Sequence, residues 1–285
     1  MKTIRTAEEL KVELASVKQS GKKIAFVPTM GAIHDGHLSL VKIARQKSDF
    51  VVASIFVNPL QFSSTTDFEL YPRTEEADSQ ALASSGAHIL FIPSVAEIYP
   101  NGEMANTRSA GPVGELYEGH SRKGHFDGML TVVARLFEIV TPDLAVFGSK
   151  DAQQLFLIRQ MLEAETGSSW ATNLEIVEGP TIRESNGLAL SSRNQRLNPQ
   201  QALVALTLSQ ALDSAQQVAP AGVLEANREA MKVFSSNPEA KLDYLAVVNP
   251  DSFEPVEEGF TGQALMIVAA EVGNVRLIDN RSITF

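Results

Sequence analysis

The chain contains no cysteine. Disulfides, thiolate zinc sites and cysteine nucleophiles are excluded together, and the composition fits a reducing compartment. Positive charge is also scarce: 24 Lys and Arg stand against 34 Asp and Glu, a formal net charge of -10. That balance argues against partnership with nucleic acid or a membrane surface, although a local cluster of basic side chains and backbone N–H groups can still hold a small anion. No apolar run approaches the roughly twenty residues of a membrane span, and the opening "MKTIRTAEELKVEL" has no apolar signal core, so a cytoplasmic, untargeted chain is expected. No internal repeat or low-complexity tract interrupts the 285 residues, a length that suggests two domains.

What is present is an alternation. Thr6 and Glu9 read as a capping box, followed by Leu10, Leu14 and Val17 at helical spacing until Gly21 stops the helix. Short apolar strands then alternate with helical segments, from "IAFV" through "FVVASIF", "HILFI" and "LAVFG" to the helix "QQLFLIRQMLEAE". This rhythm predicts an α/β fold with a doubly wound parallel sheet. From about Asn173 it changes: "LEIVEGPTI", two helices between Pro199 and Ser236, then three strands close together. The expectation is a first domain over 1–180 and a smaller C-terminal α+β domain over 181–285. The longest irregular stretch runs from about Ser94 to His125, a length that often carries function.

The unusual residues follow strands, where open α/β sheets bind ligands. In "PTMGAIHDGH" Gly31 and Gly36 permit close backbone approach, His37 opens a predicted helix, and His34 and His37 can point into one pocket. The two imidazoles suit phosphate oxygens; they also suit a solvated or structural role, while zinc lacks an evident third ligand. In "FGSKDAQQL" Lys150 can neutralise phosphate or lie on the surface, and Gln154 shares a helix face with Asp151. In "GLALSSRN" two hydroxyls beside Arg193 form either a phosphate clamp or a polar turn.

Together "PTMGAIHDGH", "SIFVNPLQF", "YPRT", "GHFDGMLTVV", "FGSKDAQQL" and "GLALSSRN" occur in the order and spacing of the pantothenate synthetase family, which the chain resembles over most of its length. The resemblance implies a Rossmann-like, nucleotidyltransferase-type domain, ATP as co-substrate with Mg²⁺, pantoate and β-alanine as partners, and a homodimer through the first domain. It implies that His34 and His37 bind ATP phosphates and stabilise adenylation, with His37 as proton donor. Met30, Gly31, Gly36, Gly148, Ser149, Lys150 and Asp151 would line the nucleotide, Lys150 at the phosphates and Asp151 near the ribose. Ile182 would offer its backbone to adenine, and Leu190, Ser191, Ser192 and Arg193 would close over the phosphates. Gln61 and Gln154 would hold pantoate, with Met30 beside it.

Three departures stand out. Ser149 replaces a common glutamate, Lys123 replaces the proline before "GHF", and Ala77 precedes Asp78 where some members carry two acids, which leaves Asp78 as the aligned candidate for the magnesium shell. The roles of Arg122 and His125 stay open. Three rival readings remain: a related adenylyl or cytidylyl transferase, a zinc hydrolase using the histidines, and a non-catalytic nucleotide sensor.

Overall fold

The computed structural model describes residues 1–62, 64–102, 105–165 and 167–285. The chain forms two compact units, Met1–Ser149 with Leu157–Pro180, and Lys150–Phe156 with Thr181–Phe285.

In the first unit the chain runs through β1 (Lys2–Ile4), α1 (Ala7–Gln19), β2 (Ile24–Thr29), α2 (Asp35–Lys47), β3 (Phe50–Ile55), α3 (Thr65–Glu69), α4 (Glu75–Ser84) and β4 (Ile89–Phe91). It continues through α5 (Val95–Ile98), α6 (Glu118–Ser121), α7 (His125–Val140) and β5 (Leu144–Gly148). Helix α8 (Ala152–Ala164), which belongs to this unit from Leu157 onward, and β6 (Glu175–Gly179) follow. The strands pair in the order β1-β4-β3-β2-β5-β6, all parallel.

Parallel strands covered on both faces read as unbroken apolar runs, and Ile24 to Val27 and Val51 to Ala53 are fully buried. Alternation along β2 divides the helices between the faces. Ala25 and Val27 join Leu40, Val41 and Ala44 of α2 and Leu82 of α4 in one cluster. Phe26 instead meets Phe137 of α7 edge-on, ring centroids 6.4 Å apart. Helix α7 is apolar nearly all round, as a helix buried on most sides must be. From β2 the chain moves outward through β3 to β4, then returns to place β5 on β2's other side. The order reverses between β2 and β5, so their carboxyl ends, Thr29 and Gly148, flank the crevice where such sheets take ligands.

Three details differ from the sequence reading. Strand β1 has no signal in the sequence: at three residues, two of them exposed, it is too short to show a period. The segment "LEIVEGPTI" supplies β6, which extends the parallel sheet through Leu144↔Glu175 to Gly148↔Gly179. The capping box of α1 is half formed: Thr6 Oγ1 accepts from Glu9 N, while the Glu9 carboxylate meets Lys2 at 3.4 Å. The stretch from Ser94 to His125 holds α5, α6 and short 3-10 turns; Glu103 and Met104 lie outside the described residues.

The second unit contains α9 (Pro199–Val218), α10 (Val223–Ser236), β7 (Ala240–Val248), β8 (Gln263–Val272) and β9 (Val275–Thr284). The three strands form an antiparallel sheet in chain order. Ala264, Met266, Val268, Ala270 and Val272, every second residue of β8, pack with Ala205, Leu208 and Leu212 of α9 and Ala226, Ala230 and Phe234 of α10. Asn198 and Gln201 exchange both capping hydrogen bonds (2.8 and 3.0 Å) ahead of α9, with Pro199 at its first position. The parallel sheet with helices and the smaller antiparallel unit are the fold class the sequence predicts.

Candidate functional site

Strand β2 ends at Thr29, whose hydroxyl donates to Ser54 O on β3 (2.7 Å) and accepts from Gly31 N (3.2 Å). The chain then turns through two left-handed residues, Gly31 at φ +82° and Ala32 at φ +49°. Glycine adopts that region freely; at Ala32 it costs about 1–2 kcal/mol. The compensation is visible: Asp78 accepts from Ala32 N through Oδ2 and from Ile33 N through Oδ1, both at 2.8 Å. Hydrogen bonds to a charged group contribute about 1.5–3 kcal/mol each, so the pair outweighs the strain.

His34 follows in extended backbone as the N-cap of α2. The helix therefore opens at Asp35, not at His37, which is its third residue. His34 N–H donates to His37 Nδ1 at 3.4 Å, and the two rings lie 4.1 Å apart. Because Nδ1 accepts, the proton of a neutral His37 resides on Nε2. Gly36 lies in the first turn between them.

Beyond β3, Gln61 is buried in a network that reaches the same loop. Its Nε2 meets Met30 Sδ at 2.8 Å, and its Oε1 accepts from Asn58 Nδ2 at 3.2 Å. Asn58 is oriented in turn by Tyr99 OH, donating to Oδ1 at 2.7 Å, and by Gly128 O, which accepts at 3.0 Å. Burial pushes the Tyr99 phenol up and keeps it a neutral donor. Gly128 is required here: a Cβ would fall 2.3 Å from Leu60 O.

The main chain of Gln61 is held separately. His125 Nδ1 lies 2.7 Å from Gln61 O, which can only accept, so Nδ1 carries the proton; His125 Nε2 then faces the donor Arg122 Nη1 at 3.1 Å. Arg122 also meets Glu118 at 3.5 Å. This chain of contacts is where the structure places the two residues whose roles the sequence leaves open.

In the second unit Lys150 and Asp151 lie in a 3-10 turn following β5, with Lys150 Nζ 3.9 Å from Asp151 Oδ1. Asn280 Nδ2 donates to Lys150 O at 2.8 Å. Residues 182–190 form a small hairpin: Leu190 N donates to the Ile182 carbonyl at 2.9 Å and Glu184 N to Leu188 O at 2.8 Å. Arg183 anchors that hairpin to β9 by a bidentate pair with buried Asp279 (2.6 and 2.8 Å), and the Asp279 hydrogen bonds raise the Arg183 guanidinium above its ordinary value. Ser191 caps the turn Ser192–Arg196 by accepting from Arg193 N at 3.3 Å. Lys150 and Ser191 line one recess with Asn194 and Asp279. Gln154 is half-buried on the first turn of α8.

The first unit thus gathers Met30, Gly31, His34, Gly36, His37, Gln61 and Asp78, with Gly148 at the end of β5 and Ser149 after it. The second holds Lys150, Asp151, Gln154, Ile182 and Leu190 to Arg193. Sequence reasoning missed Asn58, Tyr99, Arg183 and Asp279, whose work is to hold other residues. Among the described residues no group of three or more His, Asp or Glu could hold a metal ion, so the zinc reading lacks a donor set. Among them, too, no helix is long and apolar enough to cross a membrane.

Residues 2–282 match the family model described as Pantoate-beta-alanine ligase. A pantothenate synthetase from a Nocardioides species is 48% identical over 282 residues, 96% of this chain and 83% of that protein. The crystal structure of pantothenate synthetase from Thermus thermophilus superposes with a TM-score of 0.91 at 43% identity, covering 99% of each chain. A pantoate-beta-alanine ligase from Francisella tularensis, described as complexed with beta-gamma ATP and beta-alanine, has a TM-score of 0.79 at 34% identity over 99% of this chain and 97% of that one.

Proposed function

The chain belongs to the pantoate-beta-alanine ligase family, and from that premise we propose that it condenses pantoate with β-alanine through a pantoyl adenylate. A carboxylate oxygen of pantoate attacks the α-phosphorus of ATP, the bond to the bridging oxygen breaks, and pyrophosphate leaves with the electron pair. The β-alanine amine then attacks the acyl carbon, AMP leaves, and the nitrogen loses a proton as the amide forms.

The observation that carries this reading is the seat of the imidazole pair: His34 and His37, ring centroids 4.1 Å apart, at the N-terminus of α2 beyond the carboxyl end of β2. A helix N-terminus and two imidazole donors suit a triphosphate. His37, with its Nε2 proton, donates to the oxygens that gain charge; Lys150 and Arg193 add positive charge as pyrophosphate departs. Gly31, Gly36, Gly148 and Ser149 leave room for the nucleotide, Asp151 takes the ribose, and Ile182 meets adenine through its backbone. Leu190 to Arg193 close over the phosphates, and keeping water from the adenylate protects it from hydrolysis.

Gln61 and Gln154 hold pantoate through neutral amides, with Met30 beside it. An arginine would stabilise the carboxylate in its ground state and occupy the oxygens that must attack. Mg²⁺ would be held by the triphosphate oxygens, which suit a hard cation, and would offset charge there. The proposal includes a cytoplasmic homodimer, which light scattering tests. For the reaction, product analysis is decisive: one AMP and one pyrophosphate should accompany each pantothenate, whereas ADP and phosphate would indicate an acyl phosphate route.

A further inference from the structure

We infer that Asp78 is a positioning residue that fixes the His34–His37 loop, and that it does not ligate Mg²⁺. The inference rests on the proposed function for its kinetic readout but on geometry for its content. The Asp78 side chain is 3% exposed. Oδ1 accepts from Ile33 N (2.8 Å) and from Thr74 Oγ1 (3.0 Å), and Oδ2 accepts from Ala32 N (2.8 Å). Three of a carboxylate's roughly four lone-pair directions are thereby spent on protein donors.

Magnesium demands near-octahedral oxygens and dehydrates reluctantly. One remaining direction on a buried carboxylate, with no second acid in a donor cluster among the described residues, does not fit that demand.

The same atoms fit a clamp closely. Backbone N–H groups that a turn directs to one side can form an anion-binding concavity. Here Gly31 and Ala32 make that turn, and the protein's own carboxylate fills the concavity. The fit is tight, since a Cβ on Gly31 would stand 3.0 Å from Asp78 Oδ2. Thr74 supplies an independent sign. It is the N-cap of α4, yet its hydroxyl makes no cap hydrogen bond and goes to Asp78 instead. The residue after Ile33 is His34, so the conformation that Asp78 enforces sets where α2 begins and where both imidazoles stand.

Asp78→Asn tests this, because its amide must turn an N–H toward a backbone N–H that was accepted before. Three quantities are read: hydrogen exchange at the Ala32 and Ile33 amides, the Mg²⁺ dependence of pantoate-dependent ATP–pyrophosphate exchange, and its kcat. The expected result is exchange at those two amides at least about ten-fold faster with the α2 interior unchanged, kcat down by about ten-fold or more, and the Mg²⁺ half-saturation within about two-fold of wild type. Unchanged protection at Ala32 and Ile33 with a raised Mg²⁺ requirement overturns the inference. Should Asp78→Asn fail to fold, Thr74→Val removes a single donor: faster exchange at Ile33 and a kcat lowered a few-fold support the clamp, and no change in either overturns it. Amide exchange needs no substrate, so a wild-type protein inactive with pantoate would fail the functional reading while leaving the clamp testable.

Discussion

The two regions that carry phosphate-suited donors are built on opposite plans. The loop after β2 is locked by buried groups: Asp78 fills it from behind, Thr29 ties it to β3, and a thirteen-residue helix continues from it. The segment around Arg193 is a five-residue 3-10 turn capped by Ser191 and hung on a hairpin that Arg183 fixes to β9 through Asp279 and the Asn280 carbonyl. Catalytic charge stabilisation is most effective when donors need no reorganisation, which favours the first plan for His34 and His37. The phosphate-binding part proposed for Leu190 to Arg193 suits the second, since a loop that takes up a ligand must be able to rearrange.

Alanine at His37 should separate the plans most strongly, slowing adenylation by about 10²–10³-fold, the usual cost of one donor to developing charge, while ATP affinity falls less than ten-fold. Lys150→Ala should lower the same rate by more than it weakens ATP binding. Single-turnover kinetics checks both, and a Lys150 variant altered only in ATP binding would confine the second unit to capture.

The next effect concerns the anchor. Asp279→Ala leaves Arg183 without its carboxylate in a site where Asp279 is 3% and Arg183 22% exposed. Breaking such a pair costs about 3–5 kcal/mol when fully buried, and the partial exposure of Arg183 puts the expected loss near about 3 kcal/mol. Urea titration measures it. A loss under about 1 kcal/mol would show that the hairpin is held by its backbone alone.

Smaller still is the contrast between the glutamines. Gln61→Glu should raise the pantoate KM by about ten-fold or more with the ATP KM within about two-fold, because a carboxylate would face an anionic substrate in a poorly screened pocket. Gln154→Glu should act in the same direction and less, since Gln154 is half-buried and Gln61 is 6% exposed. Steady-state kinetics with each substrate varied decides it; a glutamine variant that lost ATP affinity and kept its pantoate KM would have been misassigned. Ser191→Ala should have the least effect, about 1 kcal/mol or less of turn stability, read as a few-fold higher ATP KM.

Much of this was legible because the features have a letter in the sequence. Gly31 marks a left-handed turn, unbroken runs such as "IAFV" mark strands buried on both faces, and Asn198, Pro199 and Gln201 announce α9. The paired imidazoles likewise declare themselves. What stayed hidden has a common cause. Asp78 acts on the backbone N–H groups of Ala32 and Ile33, over forty residues away, and a backbone group has no identity in the sequence. Arg183 and Asp279 meet across 96 residues, and Tyr99 reaches Asn58 from a stretch without visible period. Strand β1 is three residues long, and only its partner β4 makes it a strand.

The central claim is that pantoate alone is activated by ATP before the amine takes part. ATP–pyrophosphate exchange with labelled pyrophosphate tests it most directly. Exchange should appear with pantoate and without β-alanine, and should be abolished in His37→Ala. Exchange that requires β-alanine, or that proceeds equally well without pantoate, would contradict the adenylate route.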